Sequence, residues 1–67
     1  MGNKIRERRL EKGMSQDKLA DLSGVDRVSI SLIETGKTVN PSIKTLGKIA
    51  LALGTTVDDI FFADSVN

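Results

Sequence analysis

Helix-capping residues and glycines divide this chain into short segments, and this punctuation limits the folds it can adopt. Four glycines follow runs with apolar residues at helical spacing, and glycine readily takes the left-handed conformation that ends many helices: Gly13, Gly24, Gly36 and Gly54. Three residues that accept hydrogen bonds from first-turn amides precede such runs: Ser15, Asp26 and Ser42. No run shows the alternation of a half-buried strand. The sequence therefore predicts an all-α fold.

These capping residues and glycines predict five helices, over about residues 3–12, 16–23, 27–35, 43–53 and 57–62. The fourth helix has an apolar stripe that we expect to face the core, formed by Ile43, Leu46, Ile49, Ala50 and Leu53. Gly47 lies inside this helix, where glycine costs about 1 kcal/mol relative to alanine. We therefore expect another backbone to approach Gly47 closely.

Composition excludes most kinds of active site. The 67 residues include no cysteine and no histidine, so we expect no disulfide, no metal site, no cofactor and no enzymatic activity. Asp58 and Asp59 are the one candidate acidic pair, and their position in the first turn of a helix accounts for them through the helix dipole. No apolar run reaches the roughly 20 residues needed to span a bilayer. We expect a cytoplasmic protein.

Charge is distributed unevenly along the chain. The net charge is only +1, but residues 1–12 carry five basic and two acidic side chains, whereas residues 55–67 carry three acidic side chains and no basic one. One end of the molecule is therefore suited to face an anion. A solvated basic helix explains the same pattern, so charge alone does not identify a partner.

The predicted third helix has two chemically different faces at about 100° per residue. One face holds Ser29, Ile30, Ile33 and Glu34. The other holds Arg27, Val28, Ser31, Leu32 and Thr35. A carboxylate beside buried isoleucines requires a cation, and Arg9 is our candidate partner for Glu34. The mixed outer face suits either the major groove of DNA or another protein surface.

Longer motifs resemble a known family. The stretches MSQDKLADLSGVDRVSISLIETGK and PSIKTLGKIALALGTTVDDIF are similar to the phage-repressor/Cro-like helix-turn-helix family, also called the xenobiotic-response-element type. The resemblance extends from about Lys4 to Phe61. It implies that residues 1–67 form one compact five-helix, lambda-repressor-like DNA-binding domain. The second and third helices, about residues 15–36, would be the helix-turn-helix.

The resemblance also implies roles for individual residues. Base-reading positions in double-stranded DNA fall on Gln16, Arg27, Val28, Ser31 and Leu32. Contacts with the phosphate backbone fall on Thr35, Lys37 and Asn40, together with amides of that loop. The Arg9 and Glu34 pair matches the family's structural ion pair. Leu32 departs from the polar or basic residue common at its position, so we expect it to contact a thymine methyl group.

The implied regulator is a homodimeric repressor, associated with the nucleoid, on a two-fold operator whose half-sites lie about 34–36 Å apart. Our candidates for the dimer interface are Leu51, Phe61, Phe62 and Val66. We expect one phenylalanine ring to pack within the molecule and the other to reach the second copy. No small-molecule effector is evident. The alternative is an antitoxin-like interaction module that binds a protein through Val28 and Leu32.

Overall fold

The computed structural model describes residues 3–62 of the chain, and the side chains of residues 3–61. Its elements, in chain order, are α1 (Ile5–Glu11), α2 (Gln16–Ser23), α3 (Arg27–Glu34), α4 (Ile43–Leu53) and a π-helical turn, α5 (Asp58–Phe62). Within residues 3–62 there is no strand, and the all-α prediction is confirmed. The predicted fifth helix is present as this single turn.

The three predicted N-caps are confirmed. Ser15 Oγ accepts from the Lys18 amide at 3.0 Å, and Ser42 Oγ accepts from the Thr45 amide at 3.1 Å. Asp26 Oδ2 accepts from the Ser29 amide at 3.0 Å and so fixes the start of α3. Each bond satisfies an amide that has no partner within its own helix.

The core lies where α2 packs against α3 and α4, with α1 covering α4 and contacting α5. Its buried apolar residues are Ile5, Leu19, Val25, Ile30, Ile33, Leu46, Ile49, Ala50, Leu53 and Ile60. Every one of the five helices contributes at least one of these side chains. Because α3 contributes only its inner face, its outer face remains available.

Two expectations for α4 are wrong. Ile43 is 63% exposed, because it lies in the first turn at the edge of the apolar stripe, beyond the part of the helix that is covered. Outside the adjacent backbone of α4 itself, a Cβ atom added at Gly47 would meet no atom of residues 3–62 within 4 Å, so no other described segment approaches this glycine closely. The buried stripe of α4 consists of Leu46, Ile49, Ala50 and Leu53.

Polar contacts close the ends of the fold. Asn3 Nδ2 donates to the Ile33 carbonyl at 2.8 Å, which ties the start of the chain to the end of α3. Arg8 Nε and Nη2 donate to the two carboxylate oxygens of Asp59 at 2.7 and 3.0 Å. The Arg8 hydrogen bonds, with one from Thr55, lower the pKa of Asp59 to about 2. Asp59 thus joins α1 to α5, a role beyond the helix-dipole explanation.

Candidate nucleic-acid interface

The outer face of α3 is exposed as its periodicity predicts. Val28 is 60% exposed and Leu32 is 38% exposed, whereas Ile30 and Ile33 on the opposite face are buried in the core. Arg27 and Thr35 are also exposed, and Ser31 is half-buried. The helix therefore projects one cation, hydroxyl groups and two branched apolar side chains from a single rigid surface.

A buried ion pair holds α3 against α1. Arg9 Nε and Nη2 donate to the carboxylate of Glu34 at 2.8 and 3.2 Å, and the two side chains are only 8% and 2% exposed. Arg9 Nη1 also donates to the Met14 carbonyl at 2.8 Å. Among the described residues that are not solvent-exposed, every fully buried side-chain polar atom has a hydrogen-bond partner. This satisfied pairing fixes the position of α3.

Gln16 links that ion pair to the outer face. Its Nε2 donates to Glu34 Oε1 at 3.2 Å, and its Oε1 accepts from Arg27 Nη1 at 3.3 Å. Arg27 Nε in turn lies 3.2 Å from Asp17 Oδ1. The guanidinium of Arg27 is therefore held by two adjacent residues at the start of α2. Asp17 is not among the predicted site residues, although it directly follows Gln16.

The N-terminus of α3 carries a negative charge beside Arg27. The hydroxyl of Ser29 donates to Asp26 Oδ1 at 2.8 Å. This hydrogen bond, with a second one from the Ser29 amide, lowers the pKa of Asp26 below its ordinary value. Asp26 therefore stays ionised as the cap, and its negative charge interacts favourably with the positive end of the α3 dipole.

The candidate phosphate contacts lie at and beyond the end of α3. Thr35, Lys37 and Asn40 are exposed. The Thr35 hydroxyl donates to the Ser31 carbonyl at 2.9 Å, so donating to a phosphate requires it to give up this acceptor. The amides of Lys37 and Thr38 both donate to the Leu32 carbonyl, at 2.9 and 3.0 Å. These two loop amides are therefore already engaged in closing the helix.

The candidate dimer residues have different environments. Leu51 is 82% exposed on the outer side of α4. Phe61 is half-buried and packs against the core. The side chain of Phe62 and all of Val66 lie outside the described residues.

No cluster of three or more histidine, cysteine, aspartate or glutamate side chains within residues 3–62 is placed to hold a metal ion. No helix in this part of the chain has the length and apolar content needed to cross a membrane.

Known proteins are similar to this chain in sequence. The helix-turn-helix family HTH_3 matches residues 5–60. An uncharacterized HTH-type transcriptional regulator of Archaeoglobus fulgidus is 41% identical over 64 residues, covering 96% of this chain and 90% of its own. The HTH-type transcriptional regulator YgzD of Bacillus subtilis is 37% identical over the full length of both chains.

A solved structure agrees with the sequence relatives. The crystal structure of an HTH_3 family transcriptional regulator from Vibrio cholerae matches with a TM-score of 0.79 and 36% identity, over 91% of this chain and 33% of that one. The family match covers α1 to α4 and most of α5, and both halves of the helix-turn-helix fall inside it. This chain therefore belongs to the Cro/C1-type helix-turn-helix family and is a DNA-binding transcriptional regulator rather than an enzyme.

Proposed function

We propose that the protein is a repressor that binds a two-fold operator as a homodimer, with α3 in the major groove. The exposed face of α3, held from behind by the buried Arg9 and Glu34 pair, is the observation that carries this proposal. Repression would follow from occupancy of the operator. A rigid helix with one cation and two branched apolar side chains fits the donors, acceptors and methyl groups of the major groove.

Base recognition is assigned by chemistry. Arg27 donates to the O6 and N7 atoms of a guanine, and Val28 and Leu32 contact thymine methyl groups. Ser31 assists between them. Gln16, at the start of α2, contacts the outermost base or its phosphate.

Phosphate contacts come from Thr35, Lys37 and Asn40. Residues 16–41 contain three basic and four acidic side chains, so few cations are available to displace counterions. We therefore expect binding to fall only modestly with salt, because the slope scales with the number of neutralised phosphates. Register on the duplex then depends mainly on hydrogen bonds.

The homodimer is supported by the outer side of α4. Ile43 and Leu51 are exposed there, and Gly47 lies midway between them, where an added Cβ atom would meet no other described segment within 4 Å. An antiparallel contact of two α4 helices centred on Gly47 would place each Ile43 beside Leu51 of the other copy, as two-fold symmetry requires. The absence of a Cβ atom at Gly47 would then let the backbones of the two α4 helices approach each other closely. Phe62 and Val66 remain predicted members of the interface.

A charge on α4 tests the dimer. We expect Leu51→Lys to shift the protein to monomer in sedimentation equilibrium and to weaken operator binding. Leu10→Lys, at an exposed leucine on α1, is the matched control and should leave both unchanged. Dimerisation unaffected by Leu51→Lys would contradict this interface.

The operator itself is tested by selecting a random duplex DNA pool with purified protein at near-physiological salt and sequencing the bound fraction. We expect a two-fold symmetric motif. Arg27→Ala should then cost about 1–3 kcal/mol of affinity for that motif and relax selection at one base pair of each half-site. Lys37→Ala should weaken all sequences about equally. If folded protein recovers no motif, the outer face of α3 binds a protein partner instead.

A further inference from the structure

We infer that Asp17 determines specificity by orienting the guanidinium of Arg27 for base recognition, an inference that rests on the proposed role of α3. Asp17 lies in the first turn of α2, and its Oδ1 is 3.2 Å from Arg27 Nε. Gln16 Oε1 accepts a hydrogen bond from Arg27 Nη1 at 3.3 Å. The start of one helix thus restrains the side chain that the other helix presents.

The geometry leaves the guanidinium available to DNA. A guanidinium has five N–H donors. The hydrogen bond to Gln16 occupies one of these, on Nη1, which leaves four, and Asp17 contributes an ion pair beside Nε. A guanine needs two, directed at O6 and N7 in one plane. The ion pair beside Nε can therefore orient the guanidinium while each Nη nitrogen keeps a free N–H group for a bidentate contact.

The gain from this restraint is entropic. An arginine side chain loses rotamer freedom when it binds, and a side chain already restrained loses less. This saving favours the correct base most, because only that base accepts the bidentate contact in the restrained orientation. Asp17 is therefore a positioning residue for Arg27.

A contribution to folding does not explain the contact well. The side chains of Asp17 and Arg27 are 82% and 54% exposed, and exposed pairs add little stability. The carboxylate of Asp17, in the first turn of α2, also interacts favourably with the positive end of that helix dipole, whether or not Arg27 is present. A structural role and a positioning role for Asp17 differ in one measurable quantity. Only a positioning role affects the discrimination between guanine and other bases at the base pair that Arg27 contacts.

The test measures affinity for the selected duplex and for duplexes changed at the Arg27 base pair, using wild type, Asp17→Asn and Asp21→Asn. Asp21 is an exposed acid on the same helix with no ion pair among the described residues, so its variant makes the same charge change. Each variant removes one negative charge and so reduces the repulsion between the protein and the DNA phosphates by a similar amount. We expect only Asp17→Asn to lower discrimination, by about two- to fivefold if the contact has the strength of an exposed pair.

Asp17→Asn is also made in an Arg27→Ala background, which completes a double-mutant cycle. There, Asp17→Asn should no longer alter discrimination, because the restrained group is absent. Equal effects of the Asp17 and Asp21 variants, or sharper discrimination in Asp17→Asn, would overturn the inference while leaving the proposed function intact. Failure to recover any motif, or an Arg27→Ala variant with unchanged binding, would overturn both.

Discussion

Glu34→Gln is the substitution most informative about how α3 is held. The change keeps the size and shape of the side chain but removes its charge. Arg9 then remains buried as a cation whose partner is neutral, and one of its two donated bonds meets an amide nitrogen instead of an oxygen. Because no cavity is created, the loss measures electrostatics and hydrogen bonding alone.

The expected cost is large for a protein of this size. Removing one partner of a buried ion pair costs about 3–5 kcal/mol, and the side chains here are 8% and 2% exposed. The isosteric change places Glu34→Gln near the lower end, at about 3 kcal/mol. A 67-residue protein is expected to have a total stability of about 3–10 kcal/mol. The variant should therefore be only marginally folded.

Urea titration followed by far-UV circular dichroism measures this loss, because the chain has no tryptophan or tyrosine to report by fluorescence. Sucrose in all samples raises the stability of every variant, so that the weakest still shows a native baseline. Glu11→Gln is the matched control, since it disrupts an ion pair with Arg8 in which the Glu11 side chain is 57% exposed. We expect its midpoint to stay near that of wild type.

Exposed ion pairs contribute less than about 1 kcal/mol. If Glu34→Gln lowered the free energy of unfolding by no more than this, burial would not explain the strength of the pair. The double variant Arg9→Met, Glu34→Met provides a second check. Replacing both partners with apolar residues is often neutral, so most of the stability should return. The Met14 carbonyl would still lose its donor, at a cost of about 1 kcal/mol.

Two smaller predictions concern a cap and a titration. Ser42→Ala should lower the free energy of unfolding by about 0.5–2 kcal/mol in urea titrations, because the Thr45 amide loses its acceptor, whereas Ser42→Asp keeps one. Asp59 has its pKa lowered from 3.8 to about 2, so it stabilises the fold fully above pH 4 and loses this effect as pH falls towards 2. The difference in thermal midpoint between wild type and Asp59→Asn should shrink over that interval; a constant difference would contradict the assignment.

The features that could be predicted from sequence are those with local rules. Ser15, Asp26 and Ser42 were identified as caps from their own type and the few residues that follow. Helical periodicity separated the two faces of α3, and the cost of a carboxylate near isoleucines indicated that Glu34 needs a cation. These inferences require only the chain's immediate neighbourhood and the chemistry of burial.

The features that could not be predicted depend on how distant segments meet. The bonds between Arg8 and Asp59 join residues 51 positions apart, and either residue had several alternative partners among ten cations and nine anions. The helical stripe correctly gave four buried residues of α4 but not the exposure of Ile43, because the extent of covering by neighbours is a tertiary property. The position of Gly47 inside a helix is visible in the sequence, but the surroundings of this glycine depend on tertiary packing.

Glu34 joins the stability of the fold to the proposed recognition of DNA. Its carboxylate accepts from Arg9 in the interior and from Gln16 nearer the surface, and Gln16 accepts from Arg27 on the outer face. Hydrogen bonds in such a chain strengthen one another, so weakening the buried end also loosens the group that would contact a base. Variants at Glu34 should therefore lose discrimination as well as stability. Variants at Asp17, which contacts only the exposed end, should lose discrimination alone.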